Sequence, residues 1–415
     1  MQTVHDDARR NTVPFPPSPL PDTEADALIR TEFAALRGSY LDVAARGPLP
    51  ASAERAAAEV LRAQAQGIVP KAEWLALVET VRAQVAALIG ADPDEIAFTK
   101  NASEGLNIVA AGLQLAPGDR IVVAPVAEHP NNVFPFLWQA QQRGAEVVSV
   151  TPEAGEELED ALIRHIDART KLVAVTAVDF STGRRTDLAA IGAACRAHGA
   201  FLLVDAAQSS GVLLQDMARL PVDGWATAAQ KGMLGLYGLG VLFVRRAWTE
   251  RITPVALARF SVALEVGHEA AGPEAGWRLR GGAGRYEVGN YNYIALAALR
   301  ASLALLLRIG PAAVERRAVG SAERLRAALE ARDIPLLTVS ARHRSHIISI
   351  ADRQGAGHDK AETPWVNSLS AALTQDGVAH SVRRGAVRLS SHVHVLPEVA
   401  ERATQSIEAW HKTMR

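Results

Sequence analysis

Cysteine is almost absent from this chain: Cys195 is the only one in 415 residues. No intramolecular disulfide can form, and no cysteine-based zinc cluster is available. Cys195 itself sits in the helix-like run IGAACRAHGA and reads as a small buried thiol. An excess of charge of either sign is equally lacking. The 44 Lys and Arg against 45 Asp and Glu leave a formal net charge of −1, spread along the chain. That argues against a nucleic-acid footprint and a polybasic membrane patch. No run reaches bilayer-spanning length, and the opening MQTVHDDARRNTVPFPPSPLPD has no apolar h-region of a secretory signal. The expectation is a cytoplasmic protein without nucleic-acid or membrane partners.

What the chain does contain is core-forming sequence. Its 48% hydrophobic and 21% charged residues support a sizeable interior, and its length makes two domains the default. Residues 1–28, polar and proline-rich, read as an irregular N-terminal arm. Helix-like, alanine-rich sequence follows from Ala51 to Gly90. Short apolar strands then alternate with amphipathic helices: Ile121–Pro125, Glu146–Val150, Lys171–Val178, Phe201–Ala206 and Gly240–Arg246. Such runs indicate an α/β domain with a mostly parallel sheet covered on both faces. Gly144 and Gly199 close helices ahead of two of these strands. From about Tyr286 long helices and a few strands, SHIISI and AVRLSS the clearest, suggest a smaller α+β domain. The predicted division is 1–28, 29–285 and 286–415.

Chemistry concentrates in two stretches. In FLLVDAAQSSG, Asp205 ends a buried strand, where open α/β sheets present functional groups, although an acid there can also simply cap the next helix. In ATAAQKGMLGLYGLGVLFV, Lys231 lies in a run with almost no other charge. A surface lysine fits such a run, but so does an amine whose pKa is lowered for Schiff-base chemistry. Together the two make more sense than apart. Pyridoxal 5'-phosphate (PLP) enzymes need a lysine to carry the cofactor and a carboxylate to keep the pyridine nitrogen protonated. Gln208, three residues after Asp205, is placed to donate to the cofactor's phenolic oxygen. The glycines of GLYGLG precede a strand instead of opening a helix, so a dinucleotide loop fails on context.

A phosphate site is also legible in EIAFTKNASEGLNIVAAGL. A short strand turns into a helix, and Asn101 with Glu104 resembles a capping box. Backbone N–H groups of Ala102 and Ser103 would face an anion there. An ordinary capped helix explains the same residues.

The ordered set FTKNASEGLN, EHPNN, VDFSTG, VDAAQSSG, AAQK and YEVGNYN resembles the class-V aminotransferase family, in particular its cysteine desulfurase-like and isopenicillin-N-epimerase-like branch. The resemblance runs from about Tyr40 to the C-terminus. It implies the fold type I PLP-dependent transferase architecture: a large domain with a mostly parallel seven-stranded sheet, a small C-terminal domain, and a homodimer with shared active sites. It also implies that Lys231 forms the internal aldimine, Asp205 pairs with the pyridinium, and Gln208 binds the phenolic oxygen. His129 would stack on the ring, although a lone loop histidine otherwise reads as solvated. Ala102 and Ser103 match the phosphate loop. Arg388 matches the arginine that clamps the substrate carboxylate, where an arginine in a strand is otherwise a solvated edge residue.

Several departures bear on function. Ala228 and Gln230 occupy places where family members carry phosphate-binding serine and histidine; Gln230 is still counted as a cofactor contact. Asn290 replaces a threonine and is expected to cap the partner subunit's phosphate. Phe180 stands where desulfurases carry an asparagine. The segment SVRRGAVRLSS is shortened and lacks the desulfurase nucleophile, so persulfide-forming desulfuration is not expected. The reading is a PLP enzyme of an α-amino acid, with C–S lyase-like β-elimination ahead of transamination or epimerisation. A non-catalytic PLP-binding regulatory module is the rival from another class, and no DNA-binding segment supports it. No metal site is expected.

Overall fold

Strands that are apolar along their whole length need cover on both faces, and the chain supplies it. Seven strands form one sheet in the spatial order Ile96–Thr99, Gly240–Val244, Gly224–Ala228, Phe201–Asp205, Thr170–Thr176, Arg120–Val123 and Glu146–Ser149. All run parallel except Gly240–Val244, which is antiparallel to both neighbours. This α/β sheet is the one expected, with one addition. Gly224–Ala228 reads GWATA, has no branched aliphatic run, and is nevertheless buried at every position. It is the strand that leads into Lys231. The computed structural model describes residues 19–265 and 276–414.

Local signals set the helix ends. Gly144 and Gly199 end their helices in the left-handed conformation, with φ of 68° and 69°, as C-cap glycines do. Gly240 is required for a different reason. A Cβ there would lie 2.6 Å from the Asn101 carbonyl carbon, so only glycine lets the last central strand pass beneath the turn that starts the helix Ala102–Gly112.

The N-terminal segment departs from expectation. Of the predicted irregular arm, residues 1–18 lie outside the described residues, but Asp22–Glu32 is a helix. Asp22 and Glu24 occupy its first turn, favourable beside the helix dipole, while Ala25 and Ile29, four apart, bury one face. The prolines before it mark its start, not a continuing coil.

Among the apolar clusters that pack around the sheet and beyond it, two join distant parts of the chain. The first joins Val81, Val85, Val175, Val204 and Phe243 with Leu296 and Leu299. The last two lie on Tyr293–Ile309, a helix on the far side of the expected boundary at 286. The second gathers Leu325, Ile348, Val387, Leu389 and Ile407, and takes in Leu41 from the other end of the chain. Within it, Ile347–Ile350, Ala386–Ser390 and Ser381–Arg383 form a three-stranded antiparallel sheet with Ala386–Ser390 in the middle. Ser39–Tyr40 pairs in parallel with Val378–Ala379.

Three histidines are buried near the junction of these units: His346, His392 and His394. His392 Nε2 lies 3.0 Å from the Gly211 carbonyl and 2.9 Å from that of Gly232, while His394 Nε2 lies 3.0 Å from the Tyr40 carbonyl. Burial lowers their pKa values to about 3 for His346, about 4 for His392 and about 3 for His394. Unfolded histidines bind protons near pH 6.5, whereas these stay neutral until far lower pH. The unfolded state therefore binds more protons in that window, and this contribution to stability is lost as pH falls from 6.5 toward 4. The thermal midpoint should drop more between pH 7.5 and 5 in the wild-type protein than in His394→Gln, as read by calorimetry. Equal slopes would contradict the neutral burial of His394.

Candidate active site

The parallel strands end on one side of the sheet, and their following loops enclose a cavity of about 300 Å³. Ala102, Ser103, His129, Asp205, Gln208, Gln230 and Lys231 all line it. These are the residues expected to hold the cofactor, brought together from four separate stretches of the chain. A second cavity of about 490 Å³ shares His129, Phe180, Gln208, Lys231 and Tyr237 with the first and adds Arg388. Asn290 lines neither cavity and is exposed.

Asp205 sits at the carboxyl end of its strand, buried, with Oδ1 accepting from the Ala207 N–H at 2.9 Å. Burial pushes its pKa up, opposed by that N–H and by the charges of Lys231 and His129. Lys231 is its counterpart. Burial lowers the amine to about 8; Asp205 pulls it up, and Arg388 and Arg383 push it further down. Each senses the other's charge, yet among the described residues no ion pair within 4.0 Å joins them. The space between them is part of the cavity.

At the opposite wall, Asn101 Oδ1 accepts from the Glu104 N–H at 2.9 Å, and Glu104 reaches back to the Lys100 N–H. This uses one of the four donors that a helix start leaves unpaired. The Ala102 and Ser103 N–H groups remain for a ligand, at the positive end of the dipole.

Gln208 Nε2 gives one hydrogen to the Ala44 carbonyl at 3.1 Å, whereas its Oε1 is buried without a partner. His129 Nδ1 accepts from the Asn131 N–H at 3.2 Å, which leaves Nε2 to carry the proton. Burial and Lys231 lower its pKa. Its ring meets Phe180 edge-on, with centroids 5.3 Å apart.

Arg388 is not a solvated edge residue. It is on the central strand of its sheet and 1% exposed. Nη1 donates to the Phe180 carbonyl at 2.8 Å and Nη2 to Asp42 at 3.3 Å, while Nε has no partner. Burial lowers its pKa to about 10, partly offset by Asp42.

Other site residues escaped the sequence reading. Glu128, beside His129, is buried and accepts from Asn132 Nδ2 and the Thr176 N–H, both at 2.7 Å. Burial holds its carboxyl well above the usual range. It fixes the His129 turn to the end of a central strand, and EHPNN was its visible trace. The segment Asp42–Gly47 supplies Asp42 to Arg388 and the Ala44 carbonyl to Gln208. Its Gly47 N–H donates to the Gln230 carbonyl at 2.8 Å, where a Cβ on Gly47 would lie 2.2 Å from the Lys231 oxygen. No local pattern announces that contact.

Comparisons with known proteins agree with this geometry. A family model described as aminotransferase class-V matches residues 39–370. A probable cysteine desulfurase of Methanothermobacter thermautotrophicus is 33% identical over 312 residues, covering 74% of this chain and 76% of that one. The apo cysteine desulfurase structure from Thermococcus onnurineus NA1 is similar with a TM-score of 0.80 at 25% identity, over 94% of this chain and 98% of that one. The cystine C–S lyase C-DES, solved with its product cysteine persulfide, shares the fold at 24% identity. Its TM-score is 0.79, over 91% of this chain and 98% of that one.

An aldehyde adds only to an unprotonated amine. The rate at which cofactor-free protein captures PLP covalently should therefore rise with pH through about 8 and level off above it. Lys231→Ala should abolish the capture, read as borohydride-fixed adduct by mass spectrometry. Persistence of a single adduct in that variant would assign the amine elsewhere.

Proposed function

This chain belongs to the class-V aminotransferase family, and on that premise we propose that it is a PLP-dependent C–S lyase of α-amino acids that uses no protein persulfide. One observation carries the cofactor part: the buried carboxylate of Asp205 and the Lys231 amine of lowered pKa line one cavity without pairing, with a helix start at its wall.

The residues fit PLP. Gln208 keeps one Nε2 hydrogen beyond the one given to Ala44, and the Ala102 and Ser103 N–H groups stand at the cavity wall, donors that an anionic ligand would satisfy. Ala102 and Ser103 would hold its phosphate, Asp205 its ring nitrogen, Gln208 its ring oxygen and Lys231 its aldehyde carbon. Gln230 borders the same cavity. Bound there, PLP supplies an electron sink for the pair left on Cα when a proton departs.

The protein's own groups do the rest. Arg388 offers its unpaired Nε–H and remaining Nη hydrogens to the substrate carboxylate, a charge-assisted contact. Lys231, with a pKa near 8, has an accessible neutral form and takes the proton from Cα, a role worth on the order of 10²–10⁴-fold in rate. His129 and Phe180 cover the site against water.

Elimination is favoured over sulfur transfer by the position of the only thiol. Cys195 is fully buried on the helix Leu188–His198 and lines neither cavity. Burial pushes its pKa up to about 12, so the nucleophilic thiolate is scarce. β-Elimination needs no second nucleophile: cysteine and water yield pyruvate, ammonia and hydrogen sulfide.

Turnover of a sulfur amino acid should release pyruvate and ammonia without any added keto acid, and Cys195→Ala should keep at least about half of the wild-type rate. Strict dependence on a keto acid would make the enzyme an aminotransferase instead. Two copies are expected to share their sites, with Asn290 reaching the phosphate of the partner subunit. Sedimentation of a PLP-saturated, active monomer would exclude this.

A further inference from the structure

The second cavity carries more positive charge than a simple amino acid needs. Lys231, Arg383, Arg384 and Arg388 line it, and no aspartate or glutamate does among the described residues. Three of these cations have an acid nearby. Lys231 faces Asp205, Arg388 meets Asp42 at 3.3 Å, and Arg383 meets Asp359 at 2.9 Å. Arg384 has no carboxylate within 4.0 Å among the described residues. Its Nη1 donates to the Val126 carbonyl and its Nη2 to that of Glu128 at 3.1 Å. The guanidinium carbon also lies 5.0 Å from the centre of the Phe180 ring. Carbonyls and an aromatic face orient a cation without neutralising it. Nε–H and one hydrogen on each Nη remain for a ligand.

The backbone of Arg384 points the same way. Arg383 and Ala386 pair across a two-residue turn made of Arg384 and Gly385, with φ of 45° and 75°. Such turns favour Asn-Gly because both central residues have positive φ. An arginine at the first position is conformationally unfavourable, and residues held that way cluster at functional sites. Its side chain crosses from the small sheet to the turn that carries His129, at the mouth of the cavity holding Lys231.

We infer that Arg384 is a specificity-determining residue, and that the substrate is an α-amino acid bearing a second carboxylate on its side chain. Arg388 takes the α-carboxylate, and the uncompensated charge of Arg384 takes the other. His358, on the same wall, borders that position. This assignment rests on the PLP-enzyme reading above.

The test is equilibrium binding to the PLP-loaded protein, read from the shift of the visible cofactor band, with aspartate and its neutral isostere asparagine as probes. A charge-assisted hydrogen bond corresponds to roughly 10–100-fold in affinity, so aspartate should bind at least about tenfold more tightly. Arg384→Asn suits the turn better than the native residue, so a folding defect is not expected. It should bring the aspartate-to-asparagine ratio to within about twofold of one, and Arg384→Lys should restore part of it. Equal affinities in the wild-type protein would overturn the substrate class. A preference that survives in Arg384→Asn would overturn the role of Arg384. Failure of the underlying PLP reading is distinct: no amino acid, neutral or acidic, would move the band, and the inference would fall with it.

Discussion

Asp205 ends one parallel strand, Lys231 lies just beyond the end of its neighbour, and the two groups of opposite charge do not meet. Keeping them apart in a buried setting is costly for both, and each has moved toward its neutral form: the acid is raised and the amine lowered. A direct ion pair would remove that tension and fill the cavity. The Ala207 N–H holds Asp205, and the Gly47 N–H bonds the Gln230 carbonyl beside Lys231. The unfavourable state is preserved for a ligand that carries groups complementary to both.

The two cavities divide the chemistry by element type. Loops at the carboxyl ends of the large sheet form the first, with its helix start, acid, amide and lysine. The second is closed by the hairpin of the small sheet and by residues 44 and 45. Shared walls at His129 and Phe180 mean that a substrate held by the small sheet lies next to whatever occupies the first cavity. Asp205 and Lys231 thus belong to the large sheet and its loops, and Arg383, Arg384 and Arg388 to the small one. Each can change without the other, which suits a fold that hosts several reactions.

How much of this was legible in the sequence follows from which signals are local. The runs FLLV and LVAV are apolar throughout because both faces are covered, so their strands could be read directly. GWATA is just as buried, but its small residues carry no such pattern, and the strand leading to Lys231 went unseen. The helix Tyr293–Ile309 is apolar whichever cluster receives it, so its sequence could not tell that it packs with Val81 and Val85. Resemblance to a family located Arg388, whose surroundings depend on Asp42, 346 positions away. Arg384 stands in SVRRGAVRLSS with no local signal of its own. Its role depends on a turn geometry and on carbonyls 256 and 258 positions distant.

The early segment that contacts both sheets has a consequence for how the molecule is made. Tyr40 pairs with Ala379, and Asp42 bridges to Ser390. During synthesis these residues leave the ribosome well before their partners, which are added more than three hundred positions later. At about 5–20 residues per second, that interval is on the order of 20–70 s. The large sheet can assemble within it, but the second cavity has no closing wall until the last strand arrives. The nascent chain therefore passes through a period in which the lysine pocket exists and the wall bearing Arg384 and Arg388 does not.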